Sequence, residues 1–341
     1  MNGSNLPAVI PLSTASELAT AACLRAGANA ASAESLVQAT LSAARFGPKG
    51  MGFPHLMDYL DALRQGRIDG HAEPLIAYPL PTVIRADARR GIAQLGFDRA
   101  FDDLCQRARA SGTALFTQRN SYTAGELGYY VRRLAAQNFV GLAVANGPPL
   151  MAAAVGGPRV YCTNPLAFGA PLGAGHKPLV IDQAASATAF VNIAQAARER
   201  RSIPEGWAID ASGQPTTDAE SAVQGALLPF GGYKGANIAL LVEVLAAGLS
   251  AASWSIDAPA FNEGENSPNS GLTVVALAPL DPDFAPRLSA QLERLSSLGV
   301  AVPSQRAAHA DPVDDSIEIS PALLAQLECR ADMRSAAAKS R

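Results

Sequence analysis

Histidine is scarce in this chain of 341 residues: His55, His71, His176 and His309 are all there is. They form no Ser/His/Asp order and no HExxH-like pair, and no Cys/His cluster has metal-site spacing, so no metal is expected and hydrolase readings are weak. The four cysteines, Cys23, Cys105, Cys162 and Cys329, lack the spacing of a disulfide framework and read as reduced residues of a cytoplasmic protein. Charge is sparse too, at 17%, and Lys plus Arg (27) do not exceed Asp plus Glu (30). A basic footprint for nucleic acid is therefore missing. No apolar run approaches a membrane span, and Glu243 interrupts the stretch 238–249. The opening Met1-Asn2-Gly3-Ser4 lacks a basic region followed by an apolar one, so no signal peptide is expected.

Hydrophobic residues, by contrast, make up 48% of the chain, enough for one large or two modest soluble domains. The most organised stretch is Leu227-Leu228-Pro229-Phe230-Gly231-Gly232-Tyr233-Lys234-Gly235-Ala236-Asn237. An apolar arrival ends in Pro-Phe, three glycines follow, and a helical run begins with Ile238, Leu241, Val244, Leu245 and Leu249 near three-and-four spacing. A glycine turn opening a helix exposes unpaired N–H groups at the positive end of the helix dipole, and Lys234 adds a cation there. Such a place suits a phosphate or carboxylate, and equally suits a tight loop with a solvated lysine. The spacing fits neither a Walker loop nor a GxGxxG fingerprint.

Before that stretch the chain changes texture once. Residues 13–46 read as two helices, the first capped by Ser13 and ending at Gly27, the second capped by Ser32 and ending before Gly47. The loop Gly47-Pro48-Lys49-Gly50-Met51-Gly52 follows, then a helix over 54–65. From about residue 78, short strands at 82–87, 113–117, 140–145, 180–182 and 272–277 alternate with helical stretches at 92–111 and 124–138. That alternation predicts an α/β core whose sheet is covered on both faces. Residues 253–271 read as a polar loop and 284–298 as a helix.

Three polar stretches stand at strand ends. Arg119-Asn120-Ser121-Tyr122 precedes a helix, at a place where ligands commonly sit, although an ordinary helix cap explains it as well. Thr163-Asn164-Pro165 is expected to turn with its polar groups exposed, because proline disfavours the α region for the residue before it. Asp182 follows Val180-Ile181 directly and precedes small residues up to Ser186, which suits either a carboxylate that orients an acid or binds a cofactor ribose, or a helix cap.

In this order, Arg119-Asn120-Ser121, Thr163-Asn164-Pro165, Ile181-Asp182 through Ser186, Gly213-Gln214-Pro215-Thr216-Thr217 and Leu228-Pro229-Phe230-Gly231-Gly232-Tyr233-Lys234-Gly235 resemble the malate/lactate dehydrogenase-type oxidoreductases that do not use a Rossmann fold. Any one motif is weak, but five in sequence over about residues 12 to 330 are specific. The resemblance implies an α/β sandwich domain at 77–283 that binds NADPH or NADH, and a helical domain from 1–76 and 284–341. It also implies a homodimer acting on a small imino or 2-oxo acid. Carried over, Ser121, Thr163, Asn164, Pro165, Ser186, Gly232 and Lys234 would line the dinucleotide, Arg306 would reach its phosphates, and Asp182 would orient a catalytic histidine.

That histidine is absent. The family's Ser-His-Gly aligns with Gly50-Met51-Gly52, its carboxylate-binding arginine with His55, and the histidine of its Asn-Ser-x-His with Thr123, while Cys162 replaces a glycine. Reducing a ketone leaves an alkoxide that needs a nearby acid, whereas a protonated imine leaves as a neutral amine. The reading that follows is a reductase of the C=N bond of a cyclic 2-imino acid of the piperideine- or pyrroline-2-carboxylate type. The alternatives are a 2-hydroxy-acid dehydrogenase and a dinucleotide-binding protein without redox activity. Substitute acids are Tyr122, Lys49, Tyr233 and His55, or Asp182 itself if burial raises its pKa.

Overall fold

The computed structural model describes residues 6–303 and 315–331. Strand β1 (Ala8–Pro11) leads into helices α1 (Leu12–Ala26) and α2 (Ala30–Phe46), a 3-10 turn at Lys49–Met51, and α3 (Phe53–Arg64). The capping differs from expectation. No side chain caps α1. For α2 the cap is Asn29, whose side chain accepts the Ser32 N–H at 2.8 Å, so Ser32 is the donor and not the cap. Gly27 ends α1 at φ 107°, a conformation that suits its missing side chain. The loop 47–52 is pinned at both ends: a Cβ at Gly52 would fall 2.7 Å from the Ala44 side chain, and one at Gly47 would fall 2.9 Å from the Glu126 carboxyl.

The central part holds β2 (Leu75–Leu80), β3 (Val83–Asp87), α4 (Ala93–Ser111), β4 (Thr113–Ser121), α5 (Gly128–Ala136) and β5 (Val140–Ala145). Then come β6 (Met151–Ala152), β7 (Arg159–Tyr161), β8 (Leu166–Ala170), β9 (Leu179–Gln183) and α6 (Phe190–Arg198). Next are β10 (Ala208–Ile209), β11 (Pro215–Thr216), α7 (Ala219–Gln224), β12 (Ala226–Leu227) and α8 (Tyr233–Glu243), which runs on as a π-helical turn over Val244–Gly248. After a second 3-10 turn at Ser255–Asp257, β13 (Ser270–Leu277), α9 (Phe284–Ser297), β14 (Ser316–Ile319) and α10 (Pro321–Ala331) complete the described chain.

Seven strands form one sheet in the order β2-β3-β4-β13-β5-β8-β9. Strands β3 and β4 are parallel, and every other pairing in it is antiparallel. Alternate residues of a strand face opposite sides, and both sides are covered as the sequence predicts. One side packs under α4 and α5 around Phe97, Phe116, Tyr130, Leu134 and Val274, with the Phe97 and Tyr130 rings 4.9 Å apart edge to face. On the other, Val144 meets Val242 and Ala246, while Leu179 and Ala170 meet Phe284, Leu288 and Leu292 of α9. A smaller sheet, β11-β10-β12-β6-β7, sits beside it. The first and last described segments meet where β1 pairs antiparallel with β14, and Ala15 and Ala19 of α1 share a buried cluster with Leu327 of α10.

Candidate active site

Strand register alone brings the polar stretches together. Arg119 lies opposite Asp87, Ser121 opposite Ser270, Ala145 opposite Leu272, Leu166 opposite Val144, and Gln183 opposite Leu166. Asn120-Ser121, Asn146, Thr163-Asn164-Pro165 and Asp182 through Ser186 therefore converge on one edge of the seven-stranded sheet. Short bonds stitch the glycine turn to this edge. The Ala185 N–H donates to Thr163 O at 2.8 Å, the Ala187 N–H to Leu228 O at 2.8 Å, and the Phe230 N–H to Ala185 O at 3.0 Å. Ser186, whose hydroxyl donates to Thr188 O at 2.7 Å, is bridged to Pro229.

The turn has the geometry of an anion cradle. Gly231 and Gly232 adopt φ 58° and 63°, and α8 starts at Tyr233. The first intrahelical bond runs from the Ala236 N–H to Gly232 O, so the N–H groups of Tyr233, Lys234 and Gly235 precede the ladder. Lys234 is exposed beside them. Gly235 is required for another reason: a Cβ there would stand 2.2 Å from Phe230 O.

Asn164 is not exposed as expected; it is fully buried, in the left-handed conformation at φ 40°. Its amide nitrogen donates to Ala239 O at 2.8 Å and to Glu243 Oε2 at 2.7 Å. Glu243 also accepts the Ser255 hydroxyl at 2.8 Å, the Ser255 N–H at 2.6 Å and the Asn146 amide at 3.4 Å. A buried carboxylate surrounded by four donors ties α8 to three loops of the edge. Sequence reasoning missed this role. The available signal was a single carboxylate inside an apolar helical run. Pro165 contributes its carbonyl to the Ala145 N–H at 3.3 Å. Ser121 spends its hydroxyl proton on Ser270 O at 2.9 Å.

Asp182 projects from β9 towards α5, where its Oδ2 accepts the Gly128 N–H at 2.7 Å. It thus caps a helix that begins 54 residues earlier in the chain. Beside the half-buried Asp182, Glu126 is buried and paired through both oxygens with Arg132. Burial pushes the Asp182 carboxyl up to about 7, the Glu126 carboxylate adds to the rise, and the Gly128 N–H and Arg132 oppose it. The second polar group is built on α3. His55 Nδ1 lies 3.0 Å from Asp58 Oδ2 and its Nε2 lies 3.4 Å from Thr123 Oγ1. Tyr59 reaches the same Thr123 hydroxyl at 2.6 Å and accepts from the Gln94 amide at 3.0 Å. Tyr122 is packed edge-on against Tyr59, donates to Phe261 O at 3.1 Å, and is pushed by burial to about 12. Lys49 falls in the 3-10 turn of the 47–52 loop, and Tyr233 opens α8 in an exposed position. Arg306 lies outside the described residues. Among the described residues no group of three His, Cys, Asp or Glu is placed to hold a metal, and no helix is long and apolar enough to cross a membrane.

Such a fold, with polar loops and a glycine-turned helix gathered at one sheet edge, defines a class. The chain belongs to the malate/L-lactate dehydrogenase family, whose sequence model matches residues 10–327. Among relatives, it is 37% identical over 289 residues to a delta(1)-pyrroline-2-carboxylate reductase of Pseudomonas fluorescens, covering 80% of this chain and 84% of that one. It is 36% identical over 272 residues to a (2R)-3-sulfolactate dehydrogenase (NADP(+)) of Chromohalobacter salexigens, covering 80% and 81%. The crystal structure of delta1-piperideine-2-carboxylate reductase from Pseudomonas syringae pv. tomato superposes with a TM-score of 0.87 at 31% identity, over 94% of this chain and 99% of that one.

Proposed function

We propose that the protein reduces the C=N bond of a small cyclic 2-imino acid, of the piperideine- or pyrroline-2-carboxylate type, with NADPH or NADH as the hydride source. The observation that carries this choice is Gly50-Met51-Gly52 in the loop that leads into α3. Methionine neither gives nor takes a proton, and the reaction that tolerates this best is reduction of an imine, whose basic nitrogen a weaker acid than imidazolium at another position can protonate before hydride arrives, so that the product leaves as a neutral amine. The reductase relatives support the same choice, while the sulfolactate relative supports the second reading, a 2-hydroxy-acid dehydrogenase.

The glycine turn fits the phosphates of a dinucleotide. Nothing stands within 4 Å of where a Cβ of Gly231 or Gly232 would be, and the start of α8 offers N–H groups beside Lys234. In this reading Gly232 and Lys234 hold phosphate, and Ser121, Thr163, Asn164, Pro165 and Ser186 line the rest of the cofactor, with Arg306 reaching it from the C-terminal segment. His55 takes the place of a carboxylate-binding residue for the substrate, supported by its position between Asp58 and Thr123. Asp182 handles the proton. The β1–β14 pairing supports grouping 1–76 with the C-terminal segment as a helical domain against 77–283.

A homodimer is part of the proposal. Leu240, Leu241, Val244 and Leu249 stand about half exposed along α8 and its π-helical turn, with Trp254 and Ile256 beyond them. An apolar stripe of that length beside the site is what a partner subunit covers. The four unpaired cysteines support a reducing, cytoplasmic location. The deciding experiment follows NADPH and NADH consumption with piperideine-2-carboxylate, pyruvate and sulfopyruvate. Turnover on the cyclic imine is expected. Turnover on the oxo acids alone would replace this reading with the dehydrogenase, and tight cofactor binding without turnover would leave a non-redox binding protein.

A further inference from the structure

Asp182 and Glu126 form a pair of carboxyl groups at one helix start. Asp182 takes the Gly128 N–H, two residues beyond Glu126, and Glu126 folds back so closely that a Cβ on Gly128 would lie 2.2 Å from its Oε1. Glu126 is only 2% exposed at its side chain, and Gly47, at the end of α2, packs directly onto its carboxyl. Among the described residues Arg132 is its cation, approaching both oxygens and also donating to the Ser42 hydroxyl of α2 at 2.9 Å. The Arg132 guanidinium is thereby committed to Glu126 and Ser42, and lies over the Phe46 ring at 5.4 Å. The charged groups that face Asp182 are Glu126, just before α5, and Arg132 on it, while Leu166, Ala167 and Phe168 of the neighbouring β8 bring no charge. A carboxyl pressed by a second carboxylate, with the nearby cation engaged elsewhere, holds its proton.

Resting on the reductase reading, we propose that Asp182 replaces the missing imidazole as proton donor and that Glu126, clamped by Arg132, is the positioning residue that keeps Asp182 protonated. The step balances as follows. The Asp182 carboxylic acid gives its proton to the neutral imine nitrogen, forming a new N–H bond and leaving a carboxylate. A reduced nicotinamide would supply the hydride for the C–H bond at the imine carbon and be left oxidised, with the C=N π pair passing to nitrogen as the amine lone pair. Asp182 recovers a proton from water. Overall, one imine, one reduced cofactor and one proton give one amine and one oxidised cofactor. The burial that raises Asp182 to about 7 matches a donor working near neutral pH.

The test is the pH dependence of kcat for piperideine-2-carboxylate reduction by the full chain, wild type against Glu126→Gln. Wild-type kcat is expected to fall as pH rises through about 7. In Glu126→Gln the falling limb is expected to move to lower pH by at least about one unit, which a merely structural role for Glu126 does not produce. An unmoved limb with intact turnover overturns the inference. Carboxyl infrared or carbon-13 titration of the wild-type chain alone gives a second readout needing neither turnover nor a folded variant. Asp182 is expected to titrate near 7; titration in the ordinary range below about 5 overturns the inference. Absence of imine turnover with Asp182 still titrating near 7 would instead sink the reductase reading.

Discussion

The Glu243 carboxylate and the Asn164 amide lie 2.7 Å apart in the interior, joining residues 79 apart in the chain at the place where α8 loosens into a π-helical turn. Both amide hydrogens of Asn164 are committed, to Glu243 and to Ala239 O, which fixes the amide orientation: the flipped form would set oxygen against two acceptors. Replacing Glu243 with Ala takes the acceptor from the Ser255 N–H and from one amide hydrogen of Asn164, and leaves Asn146 with its bond to Ser253 O. A loss of roughly 3 kcal/mol is expected, from stranded donors plus the cavity, readable as a lower urea midpoint with an unchanged slope.

Asp182→Asn keeps the size of the side chain and removes its proton chemistry. Turnover is expected to fall by about 10² or more while cofactor affinity stays within about twofold, measured by fluorescence titration beside steady-state kinetics. Unchanged turnover would remove Asp182 from the reaction.

The same carboxyl sets a pH trend in stability. Its folded pKa, about 7, lies above the ordinary 3.8, so the native chain binds more protons than the unfolded one between those values. The stabilisation is complete below about 4 and is lost as pH rises through 7. Relative to wild type, Asp182→Asn is therefore expected to gain stability between about pH 5 and 8, on the order of 2 kcal/mol, in paired thermal melts. A constant difference across that range would contradict the assignment.

Lys234→Ala is expected to weaken dinucleotide binding by roughly tenfold or more and to flatten its salt dependence, because an exposed cation acts on phosphate through a field that salt screens. Calorimetry at two ionic strengths checks both parts; an unchanged salt response would place the phosphates elsewhere.

Leu241→Glu puts a charge into the apolar stripe of α8. Light scattering is expected to give a dimer for wild type and a smaller species for the variant. A wild-type monomer would end the dimer proposal.

The interior strands were legible because each is a run of β-branched and small apolar residues: the expected 140–145 is β5 to the residue, and 113–117 and 272–277 fall inside β4 and β13. The two-residue strands β6, β10, β11 and β12 were not, since two residues carry no periodicity. Edge strand β2 escaped because Pro79 breaks its pattern. Within the site, Asn120-Ser121, Thr163-Asn164-Pro165 and Asp182 were visible as polar residues at strand ends. The burial of Asn164 was not, because its partner Glu243 is remote in sequence. Glu126 gave no signal either; next to Leu127 and Gly128 it reads as a solvated residue at a helix start, and only α2 and Arg132 make it an interior carboxylate.

Strand β13 lies between β4 and β5, yet is made after both and after β8 and β9. Until Ser270–Leu277 leaves the ribosome, the nascent chain holds two half-sheets, each with a raw edge, and neither half carries a finished ligand site. Closing the sheet means inserting one strand between two partners some 130 to 160 residues upstream, a slow, non-local event. Chains cut short before β13 are thus expected to need chaperones and to aggregate through those edges, and fusions at the C-terminus to express better than truncations there.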